Sequence, residues 1–186
     1  MTLWAWALAE QHLARSLPRR WAHVQGVAGL ASRVGRALLT DRERELLVAA
    51  ALLHDIGYAS PLVDSGYHPL DGARFLTRER APARVANLVA QHSGAAFVAR
   101  LRGLADELAA FPDERTALRD ALWHCDMHTD PAGEPITFDA RIADIRVRHG
   151  AGSYLVRALD SGMLAARHDA VHRTELRLDA VEGVFP

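Results

Sequence analysis

The sequence predicts an all-α fold, and three observations support this prediction. Apolar residues recur at helical spacing through most of the 186 residues, as in residues 19–39, where two adjoining apolar stripes share one helix. No stretch alternates polar and apolar residues over the length of a half-buried strand, and no internal repeat is visible. Proline and glycine clusters, such as residues 130–135, separate the helical stretches. A single helical domain over residues 1–186 is therefore expected.

The helices follow one another with short breaks. Pro18 ends the first helix, Gly57 ends the central one, and Pro69 and Pro82 suit the first turns of two later ones. Besides the central helix, the predicted ranges are 2–16, 19–39, 69–78, 82–92, 95–110, 113–127, 138–149, 153–166 and 168–181.

The central helix is apolar on every side over residues 46–53, which predicts that it is buried. Thr40 and Glu43 stand at capping-box spacing just before it. His54 and Asp55 follow where the apolar run stops. Polar groups at the mouth of a core helix cost free energy unless a partner satisfies them. Because the carboxyl end of a helix favours a cation, this pair predicts a metal ion.

Composition excludes several classes of function. The net charge is −1, so no global basic field would attract nucleic acid, which is not an expected partner. The basic residues are all Arg, so no lysine can form a Schiff base or bind a phosphate. The single Cys125 rules out an internal disulfide and suits a reducing compartment. No apolar run reaches transmembrane length, and the first ten residues lack a positive leader, so a cytoplasmic protein without a membrane partner is expected.

Further histidines occupy special helical positions. His23 begins an inward-facing row of the second helix, since Val27 and Leu30 continue that row. His68 stands just before the helix that Pro69 opens, and His92 closes an apolar stripe. Taken singly, each could be a hydrogen-bonded core histidine or an ordinary helix end.

The late helix 113–127 separates its polar residues onto two sides. Asp126 shares a row with Leu118 and Leu122 and should face the interior, although it could pair there with an arginine. His124 and His128 lie roughly on the other side. This pair, like His168 and His172, has the i, i+4 spacing that can chelate zinc. Neither pair has a further ligand in a recognisable place. Both pairs are therefore expected to be solvated, or to support the metal ligands without binding the ion themselves.

The order His23, His54-Asp55 and Asp126 along the chain, with His68 and His92 between the pair and the last aspartate, resembles the pattern of the HD-domain superfamily of metal-dependent phosphohydrolases. The signature of that superfamily is a histidine, a His-Asp pair and a distant aspartate on an all-helical core. The resemblance covers about residues 19–130, and residues 138–181 would form a helical extension. The segments that carry it are Arg20-Trp21-Ala22-His23-Val24, Leu53-His54-Asp55-Ile56-Gly57, His68-Pro69-Leu70-Asp71-Gly72-Ala73, Gln91-His92-Ser93-Gly94 and Cys125-Asp126.

The resemblance implies a centre of one or two divalent metal ions. Members with one metal use the residues that match His23, His54, Asp55 and Asp126. Members with two extra histidines tend to hold two metals bridged by the aspartate of the pair, and His68 and His92 match those histidines. Imidazole and carboxylate without thiolate suit iron, manganese, zinc or cobalt.

The implied reaction is hydrolysis of a phosphate ester or anhydride, with a nucleotide or another small phosphorylated metabolite as substrate. A metal-activated water would attack phosphorus, and Asp55 would orient that water as the catalytic residue. Subgroups that cleave cyclic dinucleotides carry a later lysine and a Gly-Tyr-Pro signature. Here Gly57-Tyr58-Ala59 follows without a lysine, so that substrate is not expected. Phosphate contacts must then come from arginines, such as Arg20, Arg74 or Arg141.

Two other functions remain open on the sequence. The domain could bind a metal or sense a nucleotide without catalysis and regulate a partner. Taken by themselves, His54 and Asp55 could also form only a helix-terminal ion pair. It could also be a helical adaptor that binds partners through its last helices. An open pocket with arginines beside the metal ligands would favour the enzyme, a site plugged by side chains would favour sensing, and an exposed apolar patch would favour the adaptor.

Overall fold

A computed structural model describes residues 1–182, and these residues are predominantly helical. Within them the only β-type pairing is an isolated bridge between Thr129 and Pro135, so the all-α prediction is confirmed. The α-helices are α1 Thr2–Ala9, α2 Pro18–Leu38, α3 Asp41–Leu53, α4 His68–Arg78, α5 Ala83–Gln91, α6 Ala95–Arg102, α7 Ala105–Leu108, α8 Ala117–Met127, α9 Phe138–His149, α10 Tyr154–Ala158 and α11 Leu164–Glu182.

Helix α3 lies at the centre of the fold. Residues 46–53 are all buried, and the helix packs against α1, α2, α5 and α8. The predicted capping box is present, because the Thr40 hydroxyl accepts the Glu43 N–H while the Glu43 carboxylate accepts the Thr40 N–H. Each buried Leu or Val side chain stabilises the fold by about 1.5–3 kcal/mol relative to exposure. A helix anchored this firmly holds His54 and Asp55 at a defined place in the interior.

The connection from α3 to α4 requires a glycine. Short 3₁₀ turns at Ile56–Tyr58 and Ser60–Leu62 lead the chain away from α3. A Cβ atom on Gly57 would lie 2.1 Å from the carbonyl oxygen of His68, so only glycine allows α4 to begin this close to the end of α3. The close approach brings His68, the first residue of α4, beside Asp55.

Two predicted helices are shorter than expected. The helix predicted over residues 95–110 ends at Arg102, because Gly103 adopts the left-handed conformation with φ 72°, and only the short α7 follows. The helix predicted over residues 113–127 begins at Ala117. Its N-cap is Thr116, whose side chain accepts the Arg119 N–H.

Other helix boundaries depart from the sequence pattern in detail. The helix predicted over residues 2–16 consists of α1 followed by a π turn at Glu10–Ala14. The break predicted between residues 166 and 168 lies earlier, at Gly162, whose φ of 113° interrupts the helical path within the π turn Leu159–Met163. Helix α11 therefore begins at Leu164 and packs against α8. Within residues 1–182, no helix combines the length and the apolar composition that a bilayer span would need.

Candidate metal centre

The structure brings the six predicted ligand residues into one cluster. They come from α2, the end of α3, the start of α4, the turn after α5 and the last turn of α8. All are buried except His68, whose side chain is 19% exposed. The residues are His23, His54, Asp55, His68, His92 and Asp126.

Asp55 lies between two groups of histidines and turns one carboxylate oxygen toward each. Its Oδ2 lies 3.4 Å from His54 Nε2 and 3.8 Å from His23 Nε2. Its Oδ1 lies 3.3 Å from His68 Nε2 and 3.9 Å from His92 Nε2. In each group, one donor atom from every residue lies within 4.8 Å of the others. This geometry matches two adjacent cation sites that share one carboxylate.

Asp126 joins the group formed by His23 and His54. Its Oδ1 lies 3.2 Å from His23 Nε2 and 3.9 Å from His54 Nε2. Its Oδ2 accepts a short hydrogen bond from the Ser93 hydroxyl. Ser93 has a left-handed backbone with φ 47°, an uncommon conformation for a residue with a side chain. This serine contact was not predicted, although the Ser93-Gly94 interruption of the helical pattern marked the position.

Backbone carbonyls orient three of the histidine rings. A carbonyl oxygen can only accept a hydrogen bond, so Nδ1 carries a proton in each of these rings and Nε2 is the ring nitrogen that faces the cluster. The carbonyl acceptors are those of Asp130 for His23 at 2.8 Å, Ala51 for His54 at 2.8 Å and Val89 for His92 at 2.6 Å.

Unsatisfied nitrogens show that the cluster fits a metal ion. His54 Nε2 is buried and has no hydrogen-bond partner among the described residues. The Nε2 atoms of His68 and His92 lie only 3.2 Å apart, and two lone pairs at that distance repel unless a proton or a cation lies between them. Four imidazoles and two carboxylates without thiolate suit a divalent first-row transition metal.

The electrostatics of the cluster favour charged carboxylates and a neutral His92. Burial acts to raise the pKa of Asp55, but Arg20 and His54 outweigh burial and hold this pKa well below its ordinary value. The pKa of Asp126 is likewise held well below its ordinary value, because the hydrogen bond from His23 and nearby cations outweigh burial. Burial, and then the neighbouring histidines, lower the pKa of His92 to about 3. Neutral imidazole and ionised carboxylate are the forms that bind metal ions.

Arg20 and Tyr58 form one side of the cluster. Arg20 Nη1 donates to Asp55 Oδ2 at 2.5 Å, and its guanidinium lies 4.2 Å from the centre of the Tyr58 ring. The Tyr58 ring in turn stacks on His68, with 3.9 Å between the ring centres. Arg20, one of the predicted phosphate-binding arginines, is therefore in direct contact with the ligand cluster.

The cluster opens into a cavity of about 280 Å³. Asp55, His68, His92 and Asp126 line one part of it. Arginines from several helices line the rest, namely Arg20, Arg102, Arg141, Arg148 and Arg167. Arg74 is not among them, because it lies elsewhere and pairs with Asp64 and Glu107. The prediction that Arg74 could bind phosphate at this site is therefore wrong.

Two of the cavity arginines are buried and have unused hydrogen-bond donors. Arg167 donates from Nε to the Ser93 carbonyl at 2.7 Å, and its Nη1 has no partner within residues 1–182. Arg141 Nη2 lies 3.6 Å from Asp126 Oδ1, and its Nε has no partner in the described part of the chain. Burial lowers the pKa of Arg167 to about 10, so the group is still charged at neutral pH. Arg167 lies far from every motif in the sequence, and no signal there pointed to it.

The histidine pair at the end of α8 differs from its prediction. His124 is buried, not solvated, and Glu175 of α11 supplies the third donor that the sequence did not reveal. The other pair fits its prediction, since the His168 side chain is 64% exposed and His172 is also exposed.

An all-helical domain with a buried His/Asp cluster beside an arginine-lined cavity has the features expected of a metal-dependent phosphohydrolase. The comparison with protein families agrees, because residues 20–145 match the HD domain. The chain therefore belongs to the HD-domain family. The match extends beyond the predicted core of 19–130 and includes Arg141 of α9. Searches of curated proteins and of solved structures gave no match.

Proposed function

We propose that the protein is a metal-dependent phosphohydrolase that cleaves a phosphate ester or anhydride of a nucleotide or another small phosphorylated metabolite. The observation that carries this proposal is that the His/Asp cluster and a group of arginines line the same cavity. The buried His/Asp cluster forms one wall of the cavity, and buried arginines with unused donors form another. The cluster suits metal ions, and the arginines suit the anionic group of a substrate.

The six clustered side chains would hold one or two divalent ions of iron, manganese, zinc or cobalt. One group would consist of His23, His54 and Asp126 with Asp55 Oδ2. The other would consist of His68 and His92 with Asp55 Oδ1. Bound divalent ions supply Lewis acidity, which lowers the pKa of water and neutralises charge on phosphoryl oxygens.

The protein side chains then bind and orient the reactants. Arg141 and Arg167 would donate to phosphoryl oxygens from the cavity wall, and each also has a buried nitrogen without a partner among residues 1–182. Each such charge-assisted hydrogen bond contributes about 1.5–3 kcal/mol. Asp55 is the residue we propose to orient the attacking water, because its carboxylate faces both groups of donors and accepts hydrogen bonds. Arg20 keeps this carboxylate ionised.

The open cavity favours hydrolysis over sensing. A non-catalytic sensor would be expected to fill the space beside the ligand cluster with side chains, whereas here the cavity has room for a small phosphorylated molecule. The exposed large apolar residues of α9, α10 and α11 are Val147, Tyr154 and Leu176, one on each helix. Single exposed apolar side chains are ordinary on a protein surface and give no support to an adaptor.

The test combines elemental analysis with a phosphate-release panel. Wild-type protein, reconstituted separately with Fe, Mn, Zn and Co, would be assayed on nucleotides, dinucleoside polyphosphates and sugar phosphates. We expect metal retention and phosphate release from wild type. His54→Ala should lose metal from this cluster and lose phosphate release, and Asp55→Asn should lose phosphate release. His172→Ala, an exposed histidine on α11, is the matched control and should behave like wild type. Activity that survives His54→Ala would overturn the proposal, as would wild-type protein that binds none of the metals.

A further inference from the structure

Three potential metal ligands meet where α8 packs against α11, apart from the cluster described above. His124 and His128 lie one turn apart on α8, with 4.2 Å between their ring centres. Glu175 reaches them from α11, and its Oε1 lies 3.7 Å from His128 Nε2. One donor atom from each of the three residues lies within 4.8 Å of the other two. The spacing suits three ligands of a single ion.

The hydrogen bonding of the two histidines leaves ligand atoms unused. His128 Nδ1 lies 2.9 Å from the His124 carbonyl oxygen and donates to it, so Nε2 is the ring nitrogen that faces Glu175. The His124 side chain is buried, and its Nδ1 has no partner among residues 1–182. A buried polar atom without a partner is unfavourable, and such atoms in native proteins call for an explanation. A bound cation is one such explanation, because a neutral imidazole is a good metal ligand.

We propose that His124, His128 and Glu175 form a second metal site, and that this site binds Zn²⁺ or a similar late first-row divalent ion. Two imidazoles and one carboxylate are a common zinc ligand set, and three protein ligands leave a position for water. Helix α8 ends at Met127, so its carboxyl end also favours a cation here. The His128 and Glu175 side chains are 20% and 45% exposed, which lets an ion enter from solvent.

The position of this site gives the ion a structural role. Helix α8 carries Asp126 of the first cluster, and α11 carries Arg167 of the cavity wall. An ion bound by His124, His128 and Glu175 would link the two helices directly. It would stabilise the folded chain by an amount that grows with the logarithm of the metal concentration, because the unfolded chain does not bring these ligands together.

The test uses Zn²⁺ alone as the probe on the full chain. Glu175→Gln keeps the size of the side chain, removes its charge and lies on a different helix from Asp126. We expect this variant to bind one Zn²⁺ fewer per chain than wild type, or to bind it at least about tenfold more weakly, by elemental analysis and calorimetric titration. The rise of the unfolding midpoint with added Zn²⁺ should be smaller in the variant. His128→Gln should give the same result.

Two controls separate this site from the proposed active site. His172→Gln removes an exposed histidine of the other i, i+4 pair and should leave Zn²⁺ binding unchanged. His54→Ala should lose metal from the first cluster while keeping the ion that Glu175 binds. The proposal is refuted if wild type, Glu175→Gln and His128→Gln bind the same number of Zn²⁺ ions with equal affinity. That outcome would leave the phosphohydrolase proposal intact.

Discussion

His23 Nε2 lies 3.2 Å from Asp126 Oδ1, although 103 positions separate the two residues in the chain. The Asp130 carbonyl, four residues beyond Asp126, accepts the proton of His23 Nδ1 at 2.8 Å. The last turn of α8 and the loop after it therefore contact both nitrogens of this imidazole. The contacts orient the ring on α2 so that its Nε2 faces the carboxylates of the cluster.

Replacement of His23 should disrupt the first group of ligands. In His23→Ala we expect metal content to fall by about one ion per chain and kcat/KM to fall by about 100-fold or more, because loss of a ligand costs more than the 10–100-fold typical of a supporting contact. Elemental analysis and phosphate release measure the two effects. His168→Ala, at an exposed position of α11, should change neither. A His23→Ala protein with full metal content would exclude His23 as a ligand.

The close backbone contact between Gly26 of α2 and Gly133 of the loop after α8 gives a second prediction. A Cβ atom on Gly26 would lie 2.2 Å from the carbonyl oxygen of Gly133, in the loop that also carries Asp130. Gly26→Ala should therefore destabilise the protein by about 1–3 kcal/mol in urea denaturation. Gly29→Ala lies on the same helix with nothing within 4 Å of the new Cβ, and should stabilise by about 0.5–1 kcal/mol through helix propensity. Shifts of the same sign in both variants would contradict the packing described here.

Arg167 should affect substrate binding without affecting the metal. Loss of a charged hydrogen bond of about 1.5–3 kcal/mol corresponds to a decrease in kcat/KM of roughly 10–100-fold for Arg167→Met. Steady-state kinetics on the best substrate of the panel measures this change, and elemental analysis should show unchanged metal content. Arg74→Met removes an arginine outside the cavity and should keep wild-type kinetics. Equal effects of the two variants would argue against Arg167 as a phosphate contact.

The capping box of α3 contributes to stability at a distance from the site. Thr40→Ala removes the side-chain acceptor for the Glu43 N–H and should lower the free energy of unfolding by about 1 kcal/mol. Thr40→Ser keeps the hydroxyl and should lie close to wild type. Chemical denaturation monitored by circular dichroism measures both variants. If Thr40→Ala is as stable as wild type, the cap is not a source of stability for this helix.

The local pattern of the sequence is enough to predict the helices and the central position of α3. The run of apolar residues 46–53 indicates burial on every side, and the spacing of Thr40 and Glu43 indicates the cap. Asp126 could be predicted to face inward because helical periodicity relates it to Leu118 and Leu122 on its own helix. These are relations within one element, where about 100° of rotation per residue determines which side chains share a face.

Only the tertiary structure decided which distant side chains meet. Periodicity does not determine how α11 is placed against α8, so neither Glu175 beside the His124 pair nor Arg167 in the cavity wall could be predicted. The same holds for the contact from Ser93 to Asp126, which depends on a left-handed backbone at a turn. Such contacts result from the packing of whole helices, which depends on many side chains at once. The spacing of residues along the chain does not determine the angle at which two helices cross.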